Sequence, residues 1–419
     1  MKNLKQWLAW QETLHPEEID LGLERIRPVA ERLHLLSPSA SVVSVAGTNG
    51  KGSSIALLES ITRSAGLRVG CYTSPHILRY NERIRIDGEV ASDAKICEAF
   101  EQIDRARGET SLTYFEFGTL AALYLLQQQP LDLWILEVGL GGRLDAVNLI
   151  SADVALLTTV DLDHQAWLGE TREEIGREKA GIFRSGQAAV VGESNPPQSV
   201  LDYAAEVGAN LSCFSADFTL QQKEAECWHW QGSHGATLDA LPYPALQGAI
   251  QLQNSAAVLE VLNQLDWLQK VGVEGVMQGL RKVQLSGRFE TIATAPQVVV
   301  DVSHNPQAAA VLADNLKHSP HSEKTIAVVG MLRDKEVETV IRALSQSIDQ
   351  WMVGGLEGAR GLSATVLGEI ICAAVDVSKV TVCGEIIEAY RQAEALATPQ
   401  DRILVFGSFY TVAAVLEAQ

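Results

Sequence analysis

The segment Val42–Ser54, VVSVAGTNGKGSS, constrains the fold more than any other stretch of the chain. Val42, Val43, Val45 and Ala46 are apolar and read as a buried strand. The chain then turns through Gly47-Thr48-Asn49-Gly50-Lys51-Gly52 and restarts as a helix at Ser53. Strand, glycine-rich turn, lysine, hydroxyl and helix are the parts of a phosphate cradle. Glycines let backbone N–H groups converge on anionic oxygens, and the helix N-terminus adds partial positive charge. Lys51 would reach the outer phosphates, and a Ser53 or Ser54 hydroxyl could join a metal shell. Two residues separate Gly47 from Gly50, where the common loop has four, and Gly52 separates Lys51 from Ser53. An ordinary strand-to-helix turn is the competing reading.

At 419 residues the chain is long for one core, and two domains are expected. A 47% hydrophobic composition fits a globular protein. The net charge of −19 argues against general nucleic-acid binding, and an anionic substrate would need a local cluster of Lys and Arg. Six cysteines (Cys71, Cys97, Cys213, Cys227, Cys372 and Cys383) form no C-x-x-C pair, which fits unpaired thiols in a reducing compartment. The N-terminus has no signal-peptide pattern, and no run approaches the roughly 18 apolar residues of a membrane span. A cytoplasmic protein with no membrane contact is expected.

Apolar runs alternate with helical patterns from Val42 onward. Val42–Ala46, Arg68–Thr73, Leu131–Val138, Val154–Val160 and Ala188–Val191 are strand candidates that suit a parallel sheet covered on both faces. Residues from Phe214 to Leu241 are aromatic and turn-rich and read as a small antiparallel appendage, followed by helices over Gln247–Leu265 and Val273–Val283. A second α/β series has strands at Val298–Val302, Thr325–Val329, Trp351–Val353, Val380–Cys383 and Ile403–Phe406. The turn-rich stretch Ser286–Pro296 marks the boundary, giving domains 1–290 and 291–419. The fold class is α/β: an N-terminal P-loop-type parallel-sheet domain with the appendage, then a C-terminal doubly wound, Rossmann-like domain.

Several strand ends carry chemistry. Glu137 closes Leu131–Val138 and precedes GLGGRLD, placing a carboxylate where open α/β sheets bind ligands and where Mg²⁺ could be held. A dinucleotide fingerprint is rejected because Leu144 stands in place of the third glycine. Asp161-Leu162-Asp163-His164 follows Val154–Val160, and His164 gains weight as a ligand only beside Glu137. Thr171 and Glu174 form a capping box for a helix with Gly186 as its stop. Lys179 shares an apolar stripe with Ile175, Ile182 and Phe183, and a buried lysine needs a partner, a depressed pKa or a modification. Ser74, after the strand Arg68–Thr73, could ligate metal, and Arg79, Arg83 and Arg85 could meet carboxylates; a proline turn into a charged hairpin is the alternative reading. Asp301 and His304 lie at another strand end, placed for a ribose hydroxyl and for phosphates, or alternatively at a capped helix start. Gly407-Ser408-Phe409-Tyr410 is a third such turn.

Together the motifs VAGTNGKGSS, TSPH, SLTYFEFGT, LEVGLGGRLDAVN, LDHQAWLG, REKAGIF, GRFE, DVSHNP, GMLRDK and GSFYTV resemble the folylpolyglutamate synthetase/dihydrofolate synthetase family of the Mur ligase superfamily. SLTYFEFGT and GGRLDAVN look closest to the bifunctional bacterial enzymes. The resemblance implies that residues 1–290 form a Mur-ligase-like ATP-binding catalytic domain and 291–419 a glutamate-ligase domain. It implies ATP contacts at Thr48, Asn49, Gly50, Lys51, Gly52, Ser53, Asn254, Arg288 and Asp301. It places Mg²⁺, two ions expected with a monovalent cation as a further candidate, at Ser74, Glu137, His164 and Lys179, the last as a carbamate. Lys51, Lys179, His164 and His304 would be catalytic, and Arg83, Tyr114, Phe115 and Asp145 would contact the pterin substrate. Asp161 stands where relatives often carry a small residue, and Ser303 replaces the usual Ala before His304.

The implied reaction is ATP-dependent amide formation between L-glutamate and dihydropteroate or a folate, through an acyl phosphate. The expected partners are these small molecules, with no nucleic acid, and a monomer. A Mur-type ligase acting on a cell-wall precursor and a nucleotide switch that hydrolyses ATP slowly are the alternatives.

Overall fold

A computed structural model describes residues 2–223, 227–319 and 323–419. Residues 224–226, inside the predicted appendage, lie outside the described set. The chain divides into two compact units. The first comprises Met1–Asp161, Gln165–Ala245 and Leu252–Val283; the second comprises Leu162–His164, Leu246–Gln251 and Gln284–Gln419.

The first unit carries an eight-stranded sheet: β1 (Ser41–Ala46), β2 (Val69–Tyr72), β3 (Ile84–Ile86), β4 (Glu89–Val90), β5 (Leu133–Glu137), β6 (Val154–Leu157), β7 (Ala188–Val191) and β8 (Asn210–Cys213). Its order is β4-β3-β2-β5-β1-β6-β7-β8. The run from β2 to β8 is parallel. Val42, Val43, Val45 and Ala46 are all buried, as an apolar strand covered on both faces requires. The hairpin β3–β4 extends the sheet antiparallel from β2. It was not expected as part of the sheet, because β3 offers only the short run Ile84-Arg85-Ile86 and β4 two residues. The helix Lys51–Ser64 packs against Leu268–Lys282. The appendage is a three-stranded antiparallel sheet of β9 (Thr219–Lys223), β10 (Cys227–Gln231) and β11 (Thr237–Pro242). Trp228 and Trp230 of β10 are fully buried, and Trp230 Nε1 donates to the Ala256 carbonyl of the helix Ile250–Gln264.

The second unit has a six-stranded sheet of order β12-β13-β17-β14-β15-β16. Its strands are β12 (Glu290–Thr294), β13 (Gln297–Asp301), β14 (Thr325–Val329), β15 (Gln350–Gly355), β16 (Val380–Glu385) and β17 (Arg402–Phe406). Only β12 runs antiparallel to its neighbour. Val299, Ala327, Trp351, Leu404 and Phe406 form its core with Leu312, Val340, Ile341 and Leu344 from flanking helices.

The structure differs from the sequence reading at two places. The turn-rich stretch Ser286–Pro296 carries the edge strand β12, paired with β13, and the second unit takes up the chain from Gln284. The capping-box helix spans Arg172–Ala180 and stops at Gly181, not Gly186. Ile182 and Phe183 are buried from the following turn, and Gly186 instead has φ +71° ahead of β7. All six cysteines are free, and among the described residues no helix is long and apolar enough to cross a membrane.

Candidate active site

The loop after β1 depends on close approach. Gly47 has φ +150° and Gly50 φ +87°. A Cβ on Gly47 would lie 1.9 Å from Thr158 Oγ1, so any side chain would push the loop off the end of β6. Thr158 Oγ1 donates to the Asn49 carbonyl at 2.7 Å, and the Thr48 and Asn49 amides donate to Thr159 at 2.7 and 3.2 Å. Thr48 Oγ1 donates to the Asp161 carbonyl and accepts from the Asp161 amide, each at 3.0 Å. The helix Lys51–Ser64, containing Gly52 and the buried Ser53, starts at Gly50 with no side-chain cap. Its first-turn N–H groups therefore have no acceptor within the helix, which suits an anion there. Asn254 is buried and leans on the loop, with Oδ1 3.0 Å from where a Gly50 Cβ would stand.

Strand register brings Glu137 to this loop. Val45 of β1 pairs with Glu137, and Ala46 with Leu157 of β6. Glu137 is buried, and its Oε2 accepts the Ser74 amide at 2.9 Å. Lys51 Nζ donates to the Gly47 carbonyl at 3.0 Å, and the buried Lys179 Nζ donates to the same oxygen at 3.1 Å. Two amines thus converge on one carbonyl, in the loop that follows the strand paired with Glu137. Glu137 and the Ser74 hydroxyl are hard oxygen donors, the type that Mg²⁺ or Mn²⁺ prefers. Among the described residues no group of three or more His, Cys, Asp and Glu could hold a metal, so an ion here needs the mixed donor set. Asp145 is buried and caps the turn Ala146–Leu149, accepting from the Val147 and Leu140 amides at 2.9 and 2.8 Å. Burial pushes its carboxyl up to about 6, against those backbone bonds.

Tyr114 and Phe115 open the helix Tyr114–Gln127, whose N-cap Thr113 and Glu116 form a capping box. The Phe115 ring lies 6.1 Å from Tyr72, and Tyr114 stands edge-on to Tyr80 at 5.9 Å. The Arg83 guanidinium lies over Tyr80 and Tyr114, at 5.4 and 5.6 Å. Its Nε donates to His76 Nδ1 at 2.9 Å, and burial followed by the Arg83 charge lowers His76 to about 4. The arginines do not form the expected cluster. Arg85 is spent on the buried Glu59 at 2.8 Å, and Arg79 is exposed beside Asp93. Arg83 alone stands with the aromatic side chains.

In the second unit, Asp301 at the end of β13 accepts from the Phe289 and Ser303 amides, both at 2.8 Å, and from Ser303 Oγ. The ribose contact expected of it would compete with these bonds. His304 Nδ1 faces the Val302 carbonyl at 2.8 Å; a carbonyl only accepts, so Nδ1 carries the proton. The Arg288 guanidinium and the His304 ring both approach Phe409, at 5.4 and 6.2 Å. His164 has φ +53° and lies in the three-residue segment belonging to this unit. Its neighbour Asp163 was given no role from sequence. Asp163 accepts from Lys335 Nζ at 2.6 Å and Asn305 Nδ2 at 3.3 Å, with His304 Nε2 at 3.7 Å. Burial alone would raise the Asp163 carboxyl, but the histidines and Lys335 hold it far below the usual range. Lys335 sits in GMLRDK, but its partner lies 172 residues away, beyond the reach of any local pattern.

A glycine loop opening onto an uncapped helix, with a carboxylate at the neighbouring strand end, defines the first unit as a nucleotide-binding α/β domain. The Mur ligase middle domain matches residues 45–259, and the Mur ligase glutamate ligase domain matches residues 287–409. The chain is 43% identical to the dihydrofolate synthase/folylpolyglutamate synthase of Escherichia coli, over 99% of this chain and 95% of that protein. It is 42% identical to the protein of the same name from Haemophilus influenzae, over 98% and 96%. A solved structure of E. coli FolC in complex with DHPP and ADP superposes with a TM-score of 0.92 at 42% identity, covering 100% of this chain and 97% of that one. A bifunctional folylpolyglutamate synthase/dihydrofolate synthase with Mn, AMPPNP and L-glutamate bound also gives 0.92, at 46% identity, covering 100% and 98%. The chain belongs to the dihydrofolate synthase/folylpolyglutamate synthase family of Mur ligases.

Proposed function

We propose that this chain is an ATP-dependent carboxylate–amine ligase that joins L-glutamate to dihydropteroate and to tetrahydrofolates. The observation that carries the reading is the meeting of Lys51 and Lys179 on the Gly47 carbonyl, in the loop that leaves β1 next to the strand ending in Glu137. Relatives with ADP or with Mn, AMPPNP and L-glutamate bound support ATP, a divalent metal and glutamate as ligands.

A carboxylate is a poor acyl donor, so it is first phosphorylated; the glutamate amine then attacks the acyl phosphate, and a tetrahedral intermediate collapses to amide and phosphate. The residues of this chain hold the charges. Thr48, Asn49, Gly50 and the first turn Lys51–Ser53 cradle the phosphates with backbone N–H groups, and Lys51 swings from the Gly47 carbonyl to the outer phosphate. Glu137 and Ser74 would hold the divalent ion. That ion supplies Lewis-acid neutralisation of phosphoryl charge. Two ammonium groups within 3.1 Å of one carbonyl oxygen repel each other. Carbamylation of Lys179 would turn that repulsion into attraction and add an anionic ligand. Tyr114 and Phe115 offer the pterin an aromatic wall, Asp145 a hydrogen-bonding carboxyl, and Arg83 a cation for the substrate carboxylate. Asn254, Arg288 and Asp301 are assigned to the nucleotide, and His304 to its phosphates. Residues 1–290 would supply the ATP and pterin sites and residues 291–419 the glutamate site, in a cytoplasmic monomer.

The test is ADP release by the purified chain with dihydropteroate or tetrahydrofolate, each with and without glutamate. The reading expects release only when a pterin carboxylate and glutamate are both present. Hydrolysis that ignores both would instead support a nucleotide switch.

A further inference from the structure

The segment from Thr13 to Ile26 contains no strand and no α-helix, yet it is tied down by charge. Arg25 Nη2 donates to Glu116 Oε1 at 2.7 Å, and Arg25 Nε lies 3.4 Å from Oε2. Arg25 also pairs with Asp20, through the carboxylate and through the Asp20 carbonyl at 3.1 Å. His15 Nε2 stands 3.4 Å from the same Asp20 carboxylate.

Glu116 is an unusual capping-box residue. Its Oε2 accepts the Thr113 amide at 2.8 Å, and its own amide donates to Thr113 Oγ1 at 3.2 Å. A Glu in a first turn is normally satisfied by the cap, the helix dipole and water. Here the side chain is only 4% exposed, so water cannot supply the remaining solvation. A carboxylate so deeply buried needs an opposite charge, and Arg25, 91 residues away in sequence, provides it. The turn held in this way, Thr113 to Glu116, is the one that carries Tyr114 and Phe115. Thr119 Oγ1, one turn later, donates to the Phe115 carbonyl at 2.9 Å, so both ends of the aromatic pair are anchored.

We infer that Arg25 and Glu116 are positioning residues for pterin recognition: their ion pair fixes the first turn of the helix Tyr114–Gln127 and so sets the placement of Tyr114 and Phe115. The inference rests on the reading of those two rings as pterin contacts. Without Arg25, Glu116 would be an uncompensated buried carboxylate; turning outward to reach water, it would pull on the Thr113 cap and rotate the two rings. The remaining groups of the site, Lys51, Glu137 and Lys179, lie on other elements and keep their hydrogen bonds.

The experiment compares steady-state constants of the full chain and of its Arg25→Ala, Arg25→Lys and Glu116→Gln variants. Phe115→Ala serves as control, and a melting curve is recorded for each protein. Arg25→Ala and Glu116→Gln are expected to raise KM for dihydropteroate roughly tenfold, with kcat and the KM values for ATP and glutamate within about twofold. Arg25→Lys is expected to recover part of the loss, because it keeps the charge but not the two-pronged geometry. Arg25→Lys keeps the charge and Glu116→Gln keeps the side-chain size, so these two carry the test if Arg25→Ala does not fold. A purely structural role would lower the melting temperature with every KM unchanged, and that result overturns the inference. If Phe115→Ala raises KM for dihydropteroate and the Arg25 and Glu116 variants do not, the inference alone fails. If Phe115→Ala leaves that KM unchanged, the pterin reading fails and takes the inference with it.

Discussion

Lys179 shows how much one side chain can depend on its surroundings. Its amine is buried against the Gly47 carbonyl, which Lys51 also contacts. If it works as a carbamate, Lys179→Ala removes a ligand and opens a space that a small carboxylate can enter. The expected outcome is a loss of about 10²-fold or more in ligase activity, with partial return on adding acetate or formate, read as ADP release. Full activity without rescue would remove the carbamate. His76 gives a second residue-scale expectation. Its folded-state value of about 4 lies below the ordinary 6.5, so its contribution to stability is complete above 6.5 and is lost as pH falls through 4. The shift would amount to about 3 kcal/mol if fully expressed, and solvent screening at this partly exposed site reduces it to about 1–2 kcal/mol. Denaturant titrations at pH 7.5 and 4.5 should therefore show His76→Gln losing less stability on acidification than the parent chain. Equal losses would place the acid sensitivity elsewhere.

At the level of elements, the phosphate-loop helix Lys51–Ser64 is held in place by a glycine. A Cβ on Gly279, in the helix Leu268–Lys282, would lie 2.4 Å from the Ile61 Cα. Backbone cannot give way as a side chain can, so Gly279→Ala should force the two helices apart. The expected cost is about 1–3 kcal/mol by denaturant titration, with a rise in KM for ATP because the displaced helix carries the phosphate loop. A neutral substitution would mean that the helices separate freely. The same elements show what sequence could reveal. β1, its loop and Glu137 were legible because apolar runs and glycines are local signals, and β14 and β7 fall where the apolar pattern places them. The capping-box helix was overextended because Ile182 and Phe183 continue the apolar spacing from a turn that also buries them. Arg83 and Arg85 look alike in sequence; only the fold shows that Arg85 is paired with the buried Glu59 while Arg83 lies over Tyr114. Pairs such as Arg25–Glu116 carry no local signal, because each partner is an ordinary charged residue until the fold buries it.

At the scale of the whole molecule, the two units are interleaved along the sequence. The chain passes between them five times, after residues 161, 164, 245, 251 and 283. The shortest excursion, Leu162–His164, brings Asp163 to Lys335, and these side chains are only 11% and 6% exposed. A carboxylate taken into the second unit from the middle of the first unit's sequence must find its counter-charge there, or the excursion becomes unfavourable. Removing one partner of a buried pair typically costs about 3–5 kcal/mol, whereas removing both is close to neutral. Lys335→Met should therefore lower the melting temperature by about 10 °C, and Asp163→Asn in the same chain should restore most of that loss. Scanning calorimetry also reads cooperativity. With the pair intact, the short excursion couples the two units and one transition is expected. With Lys335 replaced, the second unit should melt ahead of the first and the transition should broaden or split. A Lys335→Met protein that melts as one sharp transition at the parent temperature would show that Asp163 finds its solvation elsewhere, and that the covalent crossings alone hold the two units to a common stability.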